Sequence, residues 1–316
     1  MAININAELI AAGTKYRKEL LAMPVAALAE LLAHMTLKTG IQGKEVGGEL
    51  LTDAELRPYR TAKDATDNTS IVPYEWETFL GDVVKEFDPN AILGTLYTEL
   101  TAKKPTEREI AKKVAMRMAE KVGEALYNNA FSAVRNAAGN ATVDLFNGFD
   151  TLTAAAITAT TVSAAKGNYV TLVATPTTVA NVGDQLKAFW RGCDKMLKRQ
   201  KTKLFVPVSI REMYEDWYQT EFGTAPFNSD FKQRVLVGTD GKCEIVGLDN
   251  MEGGDYWYLT VKENMKIGVD QESDKENVRI RECDNPKMVQ FFMMAYFGVG
   301  FDTLNKEFLK VAKYTV

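Results

Sequence analysis

The most restrictive feature of this sequence is a long apolar stripe that follows a helix-start signal. The segment Thr106-Glu107-Arg108-Glu109 has the capping-box pattern that begins helices. Apolar residues then recur every fourth position, at Ile110, Val114, Met118, Val122 and Leu126, and Phe131 and Val134 prolong the series. The pattern predicts one helix over 106–138, about 50 Å long at 1.5 Å per residue. Because globular helices average about 11–12 residues, a rod of this length indicates an architectural element.

A long polar stretch precedes this helix. Residues 5–37 carry apolar side chains at helical spacing, with a kink expected at Pro24, and His34 among them is interpreted as a structural histidine. From 40 to 70 the chain is rich in glycine, charged and hydroxyl-bearing residues, and such a stretch is uncommon in a compact domain unless it is functional or disordered. Strand-like alternation returns over 71–79 and is expected to place Tyr74, Trp76 and Thr78 on one face.

The C-terminal half alternates helices and short strands. In chain order the sequence predicts an amphipathic helix over 179–197, a strand over 203–208, a helix opened by the capping box Ser209-Ile210-Arg211-Glu212, a hairpin at 238–241, and strands over 255–261, 278–280 and 288–299. The basic cluster within 195–203 is interpreted as a solvated helix end, where cations suit the helix dipole. A contact with phosphate or an acidic partner is the alternative. The elements together predict an α+β protein.

Composition and motifs disfavour several classes of function. The 38 Lys and Arg against 42 Asp and Glu give a net charge of −4, which argues against coating nucleic acid by broad phosphate neutralisation. One histidine cannot build a His-rich zinc site, and Cys193, Cys243 and Cys283 lack metal or redox spacing and are expected to be buried thiols. No nucleotide-binding or hydrolase motif is present. We therefore expect no catalytic residue, cofactor or metal, with a calcium site at 270–276 as the alternative.

The order of these elements resembles the major capsid protein of tailed bacteriophages, which has the Hong Kong 97 fold. The polar stretch 46–72 looks like the extended E-loop of that family, and 106–138 is similar to its spine helix. The loop Phe146-Asn147-Gly148-Phe149 matches the turn by which such chains leave the spine helix. The charged segment 270–277 corresponds to the hairpin tip that the family calls the P-loop.

The resemblance implies a division of the chain and two sets of contacts. The expected parts are an N-terminal helical arm at 1–45, an E-loop at 46–72, a peripheral domain from 73–150 and 270–300 with the spine helix 106–138, and an axial domain from 151–269 and 301–316. Expected contacts between subunits involve the E-loop residues Arg57, Tyr59, Arg60, Lys63, Asp64 and Asp67. The P-loop residues expected to do the same are Asp270, Glu272, Asp274, Lys275 and Glu276.

The implied function is that of a shell protein assembling as pentamers and hexamers around packaged double-stranded DNA. A separate scaffolding protein, a portal and a maturation protease are the further partners implied, and the expected location is the virion after assembly in the host bacterial cytoplasm, with no membrane contact. An encapsulin-type cellular compartment of the same fold is an alternative. A carboxylate-based hydrolase and a secreted surface-binding protein are the others that the sequence leaves open.

Overall fold

A computed structural model describes residues 28–41, 43–52, 58–59, 61, 69–87, 107–222, 235–269, 278–282 and 288–316. The helices in these ranges are α1 (Ala29–His34), α2 (Glu107–Asn129), α3 (Phe149–Thr158), α4 (Val182–Arg191), α5 (Lys195–Arg199) and α6 (Val208–Phe222). The strands are β1 (Thr36–Thr39), β2 (Lys44–Leu51), β3 (Ser70–Glu77), β4 (Phe79–Phe87), β5 (Tyr169–Thr171), β6 (Thr202–Pro207), β7 (Cys243–Leu248), β8 (Tyr256–Thr260), β9 (Met265–Val269), β10 (Val278–Glu282), β11 (Val289–Phe301) and β12 (Leu309–Lys313). The α+β class predicted from the sequence is confirmed.

The first sheet is organised around β11, the long apolar strand near the C-terminus. β4 pairs with one edge of β11 from Val289–Phe87 to Phe297–Phe79, while β10 and β9 share the other edge, all antiparallel to β11. β1 extends the sheet by pairing in parallel with β9. Residues 297–301 are buried at every position, so both faces of this part of β11 are covered, and an uninterrupted apolar run is suited to such a strand.

The second sheet has the order β5-β12-β8-β6-β7 and carries helices α4 and α6 on one face. Between the sheet and these helices lies a core that includes Trp257 of β8, Val206 of β6 and Tyr214 of α6, each at most 1% exposed. A second core joins the two sheets. It brings Phe297 of β11 together with Tyr258 of β8 and with Phe131, in the segment after α2.

The strands β2 and β3 form a two-stranded hairpin outside both five-stranded sheets, paired from Lys44–Glu77 to Leu51–Ser70. The polar stretch 40–70 therefore contains a strand that the sequence did not indicate. Alternation along β3 was predicted correctly: Trp76 and Thr78 are buried, Tyr74 is half-buried, and Glu75 and Glu77 are exposed.

The prediction of one helix over 106–138 is wrong at its C-terminal end, because α2 ends at Asn129. Beyond that point Ala130, Phe131 and Ala133 are at most 1% exposed, since the chain turns into the core. The backbone of the Gly148 loop stabilises this turn, with the Gly148 N–H donating to the Ala133 carbonyl at 2.8 Å. The described helix has 23 residues and is about 34 Å long. Thr106, the expected cap, lies outside the described residues.

Three further local predictions need correction. The helix expected over 5–37 ends at His34 within the described residues, because 36–39 instead pair with β9, so the arm at 1–45 is not helical throughout. The helix expected over 179–197 is interrupted at 192–194, where Asp194 Oδ1 accepts from the Met196 N–H at 2.9 Å and begins α5. The remaining case concerns Ser209.

The start of α6 is capped by a residue distant in the sequence rather than by the capping box at Ser209. The Ser209 N–H donates to Glu252 Oε1 at 2.7 Å, and its hydroxyl donates to Glu252 Oε2 at 3.0 Å. Glu252 follows the 3₁₀ turn Asp249–Met251 and supplies the acceptors that Glu212 was expected to supply. A carboxylate at a helix N-terminus satisfies free N–H groups from whichever segment supplies it.

Candidate assembly surfaces

The hairpin of β2 and β3 presents an apolar face to solvent. Leu50 and Ile71 are cross-strand partners, and Val46 lies on the same side because side chains alternate along a strand. Their exposed fractions are 62%, 69% and 63%. We call these three residues the outer hairpin face. A group of exposed apolar side chains indicates a contact surface, whereas a single exposed apolar residue is ordinary on a protein surface.

The opposite face of the hairpin is fixed to the first sheet at its base. Trp76 is 5% exposed and lies over Gly300 of β11, where a Cβ atom would overlap the indole ring. The Thr78 hydroxyl donates to the Ile41 carbonyl at 3.1 Å and accepts from the Gly43 N–H at 3.1 Å. Farther out, the Tyr74 hydroxyl donates to Asp302 Oδ1 at 3.4 Å. The hairpin is thus anchored at its base, while no described residue of the same chain covers its outer face.

A groove of about 650 Å³ lies between β4 and α2. We call it the β4–α2 groove. Its lining is mainly apolar and consists of Val83, Val114, Met118, Val122 and Ala125, together with Lys85, Arg117, Lys121 and Thr142. Of the predicted apolar stripe, Leu126 is 5% exposed, whereas Val114, Met118 and Val122 are only half-buried. The helix therefore packs firmly near its C-terminal end and leaves an open apolar surface before it.

Of the contact residues predicted from the sequence, the structure describes Tyr59, which is 95% exposed. The others lie outside the described residues: Arg57, Arg60, Lys63, Asp64, Asp67, Asp270, Glu272, Asp274, Lys275 and Glu276. Their roles stay predictions. Val46, Leu50 and Ile71 lie within the predicted E-loop 46–72 but were not among the contact residues named from the sequence, and the β4–α2 groove was not predicted as a contact surface.

Two polar links connect elements inside the subunit. Tyr258 is fully buried, and its hydroxyl donates to Asp150 Oδ1 at 2.6 Å. Burial raises the pKa of the Asp150 carboxyl to about 6. The Tyr127 hydroxyl of α2 contacts Glu30 of α1 at 3.0 Å and also contacts Asp249. Burial raises the pKa of this phenol, so it stays protonated near neutral pH and acts as a donor.

The described cysteines and the histidine, which are the remaining candidates for a reactive or ligand-binding side chain, are buried or half-buried. Burial raises the pKa of the Cys193 thiol to about 11 and that of Cys243 to about 12, so both are poor nucleophiles, while Cys283 lies outside the described residues. Lys203 Nζ lies 2.8 Å from Nδ1 of the half-buried His34, and burial lowers the pKa of that imidazole.

Neither a metal-ligand cluster nor a membrane-spanning helix occurs in the ranges that the structure describes. Within those ranges, no three His, Cys, Asp or Glu side chains come together as metal ligands would. No helix there combines the length and the apolar character that crossing a bilayer needs.

Comparison of the whole structure with solved structures identifies the fold. A chain of the cyanophage A-1(L) capsid superposes with a TM-score of 0.57 and 13% identity, covering 93% of this chain and 92% of that chain. A chain of the native GTA particle capsid gives 0.54 and 11%, with 91% and 90% covered. A chain of the satellite phage P4 procapsid gives 0.53 and 11%, with 92% and 98% covered.

Comparison of the sequence, unlike comparison of the structure, finds no relative. No family model matches the sequence, and no curated protein matches it either. At identities of 11–13% the structural likeness establishes the fold alone. Since these chains cover nine-tenths or more of the sequence, the likeness extends across both sheets and α2. The chain has the Hong Kong 97-like capsid fold that its sequence resembles.

Proposed function

We propose that this chain is the major capsid protein of a tailed double-stranded DNA bacteriophage or prophage, and that it assembles as pentamers and hexamers into the icosahedral head shell. The observation that carries the proposal is the outer hairpin face. Val46, Leu50 and Ile71 are more than 60% exposed on a ribbon that belongs to neither five-stranded sheet. Exposed apolar surface on a projecting ribbon is unfavourable in an isolated subunit and becomes favourable once another subunit covers it.

The proposed occupant of the β4–α2 groove is the hairpin of a second copy of this chain. The two surfaces suit each other because both have apolar centres, at Ile71 on the ribbon and at Val122 in the groove. One charge contact is available beside these apolar centres. Glu75, which is exposed next to the outer hairpin face and pairs with Lys44 Nζ at 2.6 Å, can also meet Lys85 of the groove, for which no carboxylate partner occurs among the described residues.

The division into parts implied by the resemblance is proposed for the assembled subunit. The arm at 1–45, the E-loop at 46–72, the peripheral domain and the axial domain keep their predicted boundaries, with the spine helix shortened at its C-terminal end to Asn129. The contact roles of the E-loop and P-loop residues named above are part of the proposal. So are a separate scaffolding protein, a portal, a maturation protease, packaged DNA, and the virion as the place of function.

Electron microscopy of the purified full chain tests this proposal. We expect closed shells, or tubes and rings formed by the same contacts. A variant that lacks residues 46–72 should remain a soluble folded subunit and should form no closed shell, because it has lost most of the hairpin. A wild-type protein that remains a monomer at high concentration, with and without candidate scaffolding protein, would contradict the proposal. Unaltered particles after the deletion would contradict the role of the hairpin.

A further inference from the structure

A concentrated patch of positive charge lies at one end of the second sheet. Residues 191–203 contain six Lys or Arg and one Asp, in a chain whose net charge is −4. This segment comprises the end of α4, all of α5 and the start of β6. Lys242 adjoins it, because its carbonyl accepts from the Thr202 N–H at 2.8 Å. The charge is therefore brought together by the fold as well as by the sequence.

Capping of helix α4 accounts for only part of this charge. Lys198 Nζ donates to the Arg191 carbonyl at 2.5 Å, and the buried Lys310 reaches the Phe189 carbonyl at 3.4 Å. These two ammonium groups bind carbonyls of the last turn of α4, where the helix dipole favours cations. Further cations at the same place add little to helix stability, because the dipole effect falls off within one turn.

Ion pairs account for two more of the cations. Lys203 Nζ lies 3.2 Å from Glu244 Oε2, and Lys306 Nζ lies 3.7 Å from Asp194 Oδ2. The cations that remain have no carboxylate within ion-pair distance among the described residues: Arg191, Lys195, Arg199, Lys201 and Lys242. We call these five residues the basic patch. All are exposed except Lys242, which is half-exposed.

The chemistry of the surface favours a polyphosphate partner over a protein. Within 191–203 Met196 is the one exposed large apolar side chain, at 43%, so the patch lacks the apolar centre that protein interfaces have. Protein–DNA interfaces are polar and strongly positive. No aromatic residue occurs in 191–203, and the adjoining Trp190 is 7% exposed, so the stacking used to hold single strands is absent from this segment.

We propose that the basic patch is a binding surface for the phosphate backbone of duplex DNA, and that it is insensitive to base sequence. The choice of DNA as the polyanion rests on the proposed function. It also implies that the α4–α5 end of the subunit faces the inside of the shell. Because only five cations take part, the contact is weak for each subunit and is repeated around the shell, so DNA is held without being immobilised.

The test is fluorescence anisotropy of a labelled duplex with the full-length protein over a range of salt concentrations. Each phosphate contact contributes about −0.9 to the slope of log K against log[salt]. We expect Lys195→Glu/Lys201→Glu to reduce the magnitude of that slope by about two and to weaken binding at least about tenfold. Lys195 is in the first turn of α5, where a carboxylate suits the dipole, so the fold should tolerate the change.

The matched control is Lys166→Glu/Lys262→Glu, which makes the same change in net charge at two exposed lysines outside both the basic patch and the β4–α2 groove. It should bind DNA with the wild-type slope, and Lys195→Gln/Lys201→Gln should fall between wild type and the reversed variant. Equal binding by the patch variant and wild type would overturn the inference, as would equal losses in patch and control variants. So would a wild-type protein that binds polyglutamate through the patch and does not bind DNA.

Failure of the two proposals can be told apart. If shells form normally while the patch variant binds DNA like wild type, the proposal for the basic patch is wrong and the proposal of a shell protein stands. If the wild-type chain never assembles, yet binds duplex DNA through Lys195 and Lys201, the proposal of a shell protein is wrong. The patch would then be a DNA-binding surface of a protein with another role.

Discussion

The indole of Trp76 occupies the space in which any residue other than glycine at position 300 would place its Cβ atom. Trp76 belongs to β3 of the hairpin, and Gly300 belongs to β11 at the centre of the first sheet. A Cβ at Gly268 of the neighbouring β9 would also come within 3.2 Å of the same ring. The base of the hairpin therefore lies against a part of the sheet where two glycines, Gly300 and Gly268, leave space for the indole ring. We expect this contact to hold the base of the hairpin in place on the sheet.

Gly300→Ala should destabilise the subunit by about 1–3 kcal/mol, because the added methyl group overpacks a buried contact. In a Trp76→Ala background the same substitution should cost much less, since the space is then empty. Urea unfolding of the two single variants, the double variant and wild type measures the coupling, expected at about 0.5–3 kcal/mol. Strictly additive effects would show that the two residues do not share this space in solution.

The elements that the sequence predicted well are those whose pattern depends on local burial. The strands at 255–261 and 288–299 have long apolar runs, and the structure places β8 and β11 in the interiors of the two sheets. The β3 alternation was clear because Trp76 and Thr78 are buried at one end of the ribbon. Where burial on one face is strong, the period of the sequence carries enough information to assign the element.

The elements that the sequence missed depend on residues far away in the chain. β2 was hidden because Gly47 and Gly48 interrupt its alternation, and Gly47 is required there by the ring of Tyr74 across the hairpin. The end of α2 at Asn129 depends on the backbone of the Gly148 loop. The outer hairpin face gave no signal either, because exposed apolar residues separated by glycine and glutamate look like any polar segment.

Reversal of polarity on the outer hairpin face should prevent assembly without affecting the fold. Val46→Lys/Leu50→Lys replaces two side chains that are more than 60% exposed, so the free energy of unfolding should change by less than about 0.5 kcal/mol per site. Electron microscopy should show no closed particles. Val173→Lys/Val179→Lys, at exposures of 43% and 40%, is the control and should assemble. Normal particles from the hairpin variant would exclude this face as a contact.

An aspartate introduced at either of two α2 positions one turn apart should have different effects, on folding at one position and on assembly at the other. Leu126→Asp places a charge at a 5%-exposed position in the core that joins the two sheets and should prevent folding, because an unpaired buried charge costs several kcal/mol. Val122→Asp places it in the open β4–α2 groove, where water can solvate it, and should leave a folded subunit that does not assemble.

Circular dichroism on heating and electron microscopy distinguish the two α2 variants. If Val122→Asp proved as unfolded as Leu126→Asp, the groove would be closed in solution and the apolar stripe of α2 fully packed. If Val122→Asp assembled normally, the groove would not be a contact between copies.

Burial of the Asp150 carboxyl makes the free energy of unfolding depend on pH, and it sets the sign of that dependence. Burial raises the pKa of its carboxyl from the ordinary 3.8 to about 6 in the folded state, while hydrogen bonding to Tyr258 opposes the shift and the negative charge of Asp255 adds to it. The folded state therefore favours the protonated form. This contribution to stability is complete below pH of about 3.8 and is lost as the pH rises through about 6, a loss of about 3 kcal/mol at 1.36 kcal/mol per pKa unit.

Asp150→Asn should remove this dependence while its amide oxygen still accepts from the Tyr258 hydroxyl. We expect the variant and wild type to have similar free energies of unfolding at pH of about 4, and the variant to be more stable by up to about 3 kcal/mol at pH of about 8. Urea unfolding across this range measures the difference. Asp216→Asn, at an exposed position on α6, should show no such divergence. A constant difference between Asp150→Asn and wild type at all pH values would mean that the carboxyl titrates in the folded subunit as it does in water.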